Sequence, residues 1–334
     1  MFLGEYGVDL GTSTLSLACG EKGPARREPN LLVLDRRRGG VRAVGGEALA
    51  MLDRTPGGLR TCRPVERGLV SRPDEAAAVL RLLLKKAGGR GGAKRMCLGA
   101  PAGATSMERD TLTDVALHAG ARHVMLIERP LAAALGAGLD VFIPQGKMVA
   151  DIGAGTTDIA VMSMGGVVFA MTAPVGGDDF DREICRVLRE RFSLVIGPRT
   201  AEAVKLTVAC CTGEAAERSM PVKGKHAQTG LPVVCSVASR DLRAAMDALA
   251  QRIAQQANQV LERTPPELVG DVHTGGILLT GGAAALPGLA EYLSRALKTE
   301  VRAALNAPDC VAAGAARALA VGRSLENGVF FPTR

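Results

Sequence analysis

One pattern of polar and apolar positions occurs twice in the chain. It runs through Tyr6-Gly-Val-Asp-Leu-Gly-Thr-Ser-Thr-Leu-Ser-Leu and again through Val149-Ala-Asp-Ile-Gly-Ala-Gly-Thr-Thr-Asp-Ile-Ala-Val. In each copy an apolar strand carries an aspartate, a glycine turn with hydroxyls follows, and a second apolar strand leaves the turn. The copies lie nearly half a chain apart, too far for a solenoid repeat, which suggests two related halves facing one another. Between them, Ala77, Val79, Leu80, Leu83 and Leu84 have helical spacing and predict a helix over 74–86, entered at Pro73-Asp74-Glu75 and left at Gly88-Gly89. A strand over 95–99, a hydroxyl-capped helix over 105–119, a strand over 123–127 and a proline-opened helix over 130–136 follow. The second half predicts helices over 178–192 and 200–209 and a strand pair within 228–236. A long helix over 239–263 comes next, capped by Ser239 and stopped by Pro265-Pro266. A strand over 276–280, a double-glycine turn and a helix from about 286 to 297 complete the pattern. The uncharged stretch 159–177 could nominally span a bilayer, but Gly165-Gly166, Pro174 and its valines read better as a buried hairpin. Strands alternating with helices predict an α/β fold, and no low-complexity linker separates the halves.

Composition narrows the classes. A length of 334 residues suggests two domains, and 47% hydrophobic against 22% charged residues argues against a disordered chain. Aromatics reach only 3%, with no Trp, so a base-stacking or sugar-stacking platform would have little to build on. The 41 basic residues exceed the 34 acidic ones by seven, which favours anionic partners. The basic clusters Arg36-Arg37-Arg38, Lys85-Lys86 and Arg90 with Lys94 and Arg95 are not interleaved with aromatics, so no nucleic-acid partner is expected. Eight scattered cysteines form no C-x-x-C, which suits buried thiols in a reducing compartment. Met1-Phe2-Leu3-Gly4-Glu5 lacks the basic start and apolar run of a signal peptide, so a soluble cytoplasmic protein is expected.

Three turns carry candidate chemistry. At Asp9-Leu-Gly-Thr-Ser-Thr14, a glycine bend can present backbone N–H groups to an anion while hydroxyls add donors, although a plain hairpin uses the same residues. Asp151-Ile-Gly-Ala-Gly-Thr-Thr-Asp158 contains a G-x-G, but the third glycine is missing. The continuation is β-branched rather than helical, so a dinucleotide-binding turn is excluded. No Gly-Lys-Ser/Thr phosphate loop occurs. Gly281-Gly282 ends a buried strand before a helix, where glycine lets backbone lie flat against a planar base. Taken together, two phosphate-type hairpins and a late double glycine suit a nucleotide in an interdomain cleft. Asp9 and Asp151 would face the same phosphates, and such a carboxylate pair implies Mg²⁺ with the nucleotide.

The chain resembles the actin and seventy-kDa chaperone ATPase superfamily and, within it, the MreB/Mbl family of bacterial rod-shape-determining actin homologues. The likeness runs nearly end to end: Gly7-Val-Asp-Leu-Gly-Thr, Glu28-Pro-Asn, Arg54-Thr-Pro-Gly-Gly, Gly120-Ala-Arg, Pro130-Leu-Ala-Ala-Ala-Leu-Gly-Ala-Gly, Asp151 to Asp158, Gly177-Asp178, Gly197-Pro-Arg-Thr-Ala-Glu, Thr264-Pro-Pro-Glu-Leu and Leu279-Thr-Gly-Gly. The Arg-Thr-Pro-Gly and Thr-Pro-Pro-Glu-Leu segments are the more specific. The resemblance implies ATP with Mg²⁺ in an actin-like, duplicated ribonuclease H-like fold of two lobes around a nucleotide cleft. It makes Thr12, Ser13 and Thr14 the first phosphate loop, and Gly153, Ala154, Gly155 and Thr156 the second, with Gly177 beside it. Glu202 and Lys205 would contact ribose and base, and Gly281, Gly282 and Ala283 would border the adenine. From the residues alone, Glu202 and Lys205 read as an i,i+3 surface ion pair.

Departures from the family pattern matter as much. The residue before Pro130 is normally a glutamate that orients or activates the attacking water; here it is Arg129. Arginine donates only and cannot act as a general base, although it can stabilise phosphate charge. Glu128 is adjacent, one residue along, where its side chain points elsewhere; it or a water network is the alternative route to catalysis, with Thr156 nearby. Slow or absent hydrolysis with retained ATP binding is expected. Ala154 replaces a usual glycine, Thr207 a usual glutamate, and Thr12-Ser13-Thr14 lacks the usual asparagine. The family's membrane contact would fall to Phe2 and Leu3 or to the loop 87–94, both with little apolar content; Arg90, Lys94 and Arg95 would meet anionic lipid.

The expected organisation is a first lobe over 1–145 with a small outer subdomain at 31–64, a second lobe over 146–322 with its outer subdomain at 181–236, and a tail over 323–334. The expected function is an ATP-binding cytoskeletal protein whose filaments, peripheral to the inner face of the cell membrane, organise cell-wall synthesis and rod shape. Its expected partners are copies of itself, other MreB-like proteins and the elongation machinery. The alternative is a hydrolysis-impaired paralogue that acts as an adaptor or regulator of filaments.

Overall fold

Alternation of apolar residues around a short glycine turn closes each of the two echoed segments into an antiparallel hairpin. In a computed structural model, which describes residues 4–20, 25–37, 40–52, 57–88, 93–212, 217–321 and 331–332, these are the strands Glu5–Leu10 with Thr14–Cys19 and Lys147–Ile152 with Thr157–Ser163. Each hairpin extends on one side by an antiparallel strand, Arg26–Pro29 in the first half and Gly166–Ala173 in the second. On the other side each gains two parallel strands: Ala93–Ala100 and Ala121–Glu128 in the first half, Ile277–Thr280 and Val301–Ala303 in the second. Strand order and sense therefore repeat between the sheets, and the short strand Phe331–Pro332 adds an edge to the first alone. The echo in the sequence is a duplication of architecture, and the α/β expectation holds.

Parallel neighbours need helical crossovers, and local chemistry starts and stops them. Ser106–Ala119 opens with a capping box between Thr105 and Glu108 and ends at left-handed Gly120. Arg129–Ala137 opens with Pro130 in its first turn and ends at Gly138. This last helix and Cys310–Val321 lie between the sheets. Ala132, Ala133 and Ala134 meet Val311 and Ala315 there, together with Val149 and Ala160 of one sheet and Cys97 of the other. A Cβ on Gly136 would strike the Cys310 backbone, and one on Gly314 the Ala132 carbonyl, so glycine sets how closely the helices cross.

Two three-stranded sheets and the two-stranded pair Val65–Glu66 with Leu69–Val70 stand outside this frame. Leu32–Asp35, Val41–Val44 and Leu59–Cys62 close over Leu31, Val33, Ala43 and Ala48. In the second half Leu194–Val195, Ser219–His226 and Pro232–Ala238 form the other. Strand pairing there begins at 219 rather than 228, and Gln228 and Thr229 lie in the turn. The stretch 159–177 is a hairpin whose turn, Met164 and Gly165, has φ of 51 and 78. Among the described residues no helix is long and apolar enough to cross a membrane. Ser239 is the first residue of its helix rather than the cap: Asp241 accepts from the Ala238 N–H, while Ser239 Oγ donates to the Val208 carbonyl. The helix expected from 286 runs over Leu289–Leu297, after a single 3₁₀ turn, Gly282–Ala285. Phe2, Leu3, Arg38, Gly89, Arg90 and Arg54-Thr-Pro, and most of the tail 323–334, lie outside the described residues.

Candidate functional site

The hairpin ends of the two sheets face each other. Thr12 Oγ1 of the first turn accepts a hydrogen bond from the Gly68 N–H at 2.9 Å. A Cβ on Gly155 of the second turn would lie 2.7 Å from that same hydroxyl and from the Arg67 Cα. The turns thus touch, and only a bare Cα allows it. Thr156 Oγ1 is 3.2 Å from the place a Cβ on Gly68 would take. Ser13 accepts at its carbonyl from the Asn30 N–H at 2.8 Å, and Asn30 Nδ2 donates to the Gly11 carbonyl at 2.7 Å. Thr14 pairs with Pro29 in the sheet.

The second turn is seated on the start of the helix Gly177–Phe192, where the Gly177 N–H donates to the Gly153 carbonyl and the Asp178 N–H to that of Ala154. Gly177 is also where three other expected site residues converge. A Cβ there would lie 3.4 Å from Lys205 Nζ, 3.6 Å from Ala283 Cβ and 3.7 Å from Ala154 Cα. Lys205 donates to the Gly177 carbonyl and pairs with Asp181 at 2.8 Å, rather than with Glu202 as an i,i+3 pair would require. Burial raises the Asp181 carboxyl, Lys205 opposes the rise, and the charges of Glu202 and Asp178 add to it. Gly281, at φ +82, packs against the Ile152 backbone and donates to the Ala307 carbonyl, while Gly282 meets open space. Ala154, Gly177, Lys205 and Ala283, from four separate segments, therefore border one place.

Acid concentrates at the base of the hairpins. Asp151 stands directly across the ladder from Asp158, where the first hairpin pairs Asp9 with Ser16. Asp151 is buried and accepts from Thr280 Oγ1 at 2.9 Å. Burial, then the charges of Asp9 and Asp158, push its carboxyl up to about 7. Burial raises Asp9 as well, opposed by Arg129. Asp158 is raised by burial, against the pull of Arg129 and of a hydrogen bond from Thr172 Oγ1 at 2.5 Å. Burial also raises Glu128, with the charge of Arg109 opposing and that of Asp158 adding to the rise.

Arg129 lies inside this cluster, 5% exposed. Its Nη2 donates to the Leu10 carbonyl at 3.1 Å, Nε is 3.7 Å from Asp9 Oδ1, and Nη1 is 3.7 Å from Asp158 Oδ2. This geometry bears on the divalent cation expected at Asp9 and Asp151. Thr280 already holds one oxygen of Asp151, and a fixed guanidinium lies against Asp9. Among the described residues no group of three or more His, Cys, Asp or Glu side chains has the spacing to hold a metal ion. The residues present do not fit a divalent ion held directly by this carboxylate pair. Asp158 and Thr280 join the site without being among its expected residues; the signal for Asp158 is its place at the far end of the second turn motif, mirroring Asp151. A separate ion pair, Arg63 with Asp178 at 2.8 Å, joins the first half to the second.

The MreB/Mbl protein family model matches residues 4–327. The cell shape-determining protein Mbl of Bacillus subtilis is 40% identical over 316 residues, covering 94% of this chain and 95% of that protein. Crystal structures of MreB5 of Spiroplasma citri, one bound to ADP and one to AMPPNP, each superpose with a TM-score of 0.90 at 30% identity, covering 97% of this chain and 98% of that one. A MamK double helical filament superposes with a TM-score of 0.81 at 23% identity, covering 95% and 98%, and shares the fold.

Proposed function

The chain belongs to the MreB/Mbl protein family, and from that premise we propose that it binds an adenine nucleotide in the cleft between its two sheets and serves as an actin-like cytoskeletal protein in the maintenance of cell shape. The observation that carries this is the meeting of the two glycine turns, through Thr12 and Gly155, beside Lys205 and the Gly281 strand end. Solved relatives with this fold hold ADP or AMPPNP. Thr12, Ser13, Thr14, Gly153, Ala154, Gly155 and Thr156 would take the phosphates, Glu202 and Lys205 the ribose side, and Gly281, Gly282 and Ala283 the base.

Nucleotide held by both turns favours the closed arrangement of the halves and, with it, self-association into filaments. These filaments would lie at the inner face of the membrane with other MreB-like proteins and the wall-elongation machinery. Arg129 supplies no general base, so hydrolysis is slow or absent. No protein-held magnesium enters, because the guanidinium already lies against Asp9. Titration calorimetry with ATP and ADP tests the binding; absence of heat with both overturns it. Sedimentation with ATP, ADP or no nucleotide, with and without anionic liposomes, tests assembly and membrane contact, and a supernatant unchanged across all conditions overturns those.

The burial of Arg129 favours a second reading, a nucleotide-locked regulator of filaments formed by a conventional relative. Arg129→Glu separates the two. Phosphate release gained by the variant marks an otherwise intact hydrolytic site, and none gained marks the regulator.

A further inference from the structure

Arginine carries five N–H donors and a permanent charge, and a buried guanidinium is costly unless those donors and that charge are matched. Among the described residues Arg129 makes one hydrogen bond of good length, to the Leu10 carbonyl; its two carboxylate contacts are long, 3.7 Å each. Its Nε is buried with no hydrogen-bond partner among the described residues. The side chain is nevertheless seated in a fitted channel. A Cβ on Gly68 would lie 3.2 Å from Nη1, and one on Gly99 3.1 Å from Cγ. Gly68 also binds Thr12 of the first turn, and its would-be Cβ lies equally close to Thr156 of the second. A charged group with unspent donors is thus fixed where the two turns meet, within reach of carboxylates from both halves.

We propose that Arg129 is the resident cation of this site: its spare donors take an oxygen of the nucleotide's polyphosphate, and its fixed charge replaces that of a free divalent ion in nucleotide binding. The inference rests on the nucleotide reading above and assigns it a determinant, since a guanidinium both neutralises and hydrogen-bonds phosphate oxygens. A conventional carboxylate at this position would instead add to the negative charge and leave a mobile cation to offset it.

The test is titration calorimetry of ATP and ADP into the full chain, in excess Mg²⁺ and in excess EDTA. Chelation is expected to weaken binding by less than about 3-fold in the unsubstituted protein, and by about 30-fold or more in Arg129→Gln and Arg129→Glu. Arg129→Lys keeps the charge but loses the fork and should fall between. A loss of about 30-fold or more on chelation in the unsubstituted protein overturns the proposal and leaves the nucleotide site standing. Binding absent in both media overturns the site itself. The chelation measurement needs no variant, so the proposal can fail even where a substituted protein misfolds.

Discussion

The two glycine turns occupy equivalent places in equivalent sheets but are held differently. The first is tied by side chains and by an outer segment: Thr12 takes the Gly68 N–H, and Asn30 reaches the Gly11 carbonyl. The second is tied by backbone, its carbonyls at Gly153 and Ala154 accepting from the first N–H groups of a 16-residue helix. Acidity is distributed unequally too. The ladder position opposite Asp9 is Ser16, whereas that opposite Asp151 is Asp158, so one half carries a doubled carboxylate. The cation that offsets it, Arg129, comes from the other half. Duplication supplied the frame, and the departures from symmetry made the halves electrostatically dependent on each other.

The sharpest way to break this comparison is Gly155→Val. Its branched side chain would have to enter where a Cβ already lies 2.7 Å from Thr12 and Arg67. We expect about 1–3 kcal/mol lost in urea unfolding and no nucleotide binding by calorimetry. Gly282→Ala, which meets nothing within 4 Å, is the matched control and should leave stability unchanged. Retained binding in Gly155→Val would show that the turns do not act together.

A smaller effect separates the acidic sides by pH. The folded carboxyl of Asp151 titrates at about 7, above its unfolded value of about 4, so the folded state binds more protons between these values. Stability of the nucleotide-free protein should therefore fall as pH rises from about 4 toward about 7 and level off beyond. Asp151→Asn should flatten the profile over that window, read from urea midpoints; an unchanged slope would assign the titration elsewhere. The smallest expected change is that of Arg63→Ala. This ion pair with Asp178 bridges the halves, but its side chains are 38% and 30% exposed. Its loss should cost under about 1 kcal/mol and shrink further as salt rises.

Local chemistry makes much of the fold legible. Hairpin periodicity, the capping box at Thr105 and prolines at helix starts act within a few residues, and these elements stand close to their expected places. Pro265-Pro266 reads as a stop, yet it opens the helix Pro266–Gly275, because proline in a first turn begins a helix as readily as it ends the previous one. Cys310–Val321 has little polar contrast, being apolar around most of its surface and buried between sheets, so no amphipathic stripe announces it. At the site, the turns and glycines are readable as motifs. The pairing of Lys205 with Asp181, the hold of Thr280 on Asp151 and the burial of Arg129 depend on segments far apart in the chain, and spacing carries no trace of them.

The helix Cys310–Val321 has a consequence for the order of events during synthesis. Gly7 leaves no room for a Cβ because the backbone at Ala312 and Ala316 lies against it. The strand Glu5–Leu10 thus completes its packing only once the helix Cys310–Val321 has been synthesised. Although the architecture is doubled, the first sheet borrows part of its packing from a helix that follows the second, so the two halves are not independent units as separate domains commonly are. Removal of residues 310–321 would strip the packing from the strand Glu5–Leu10.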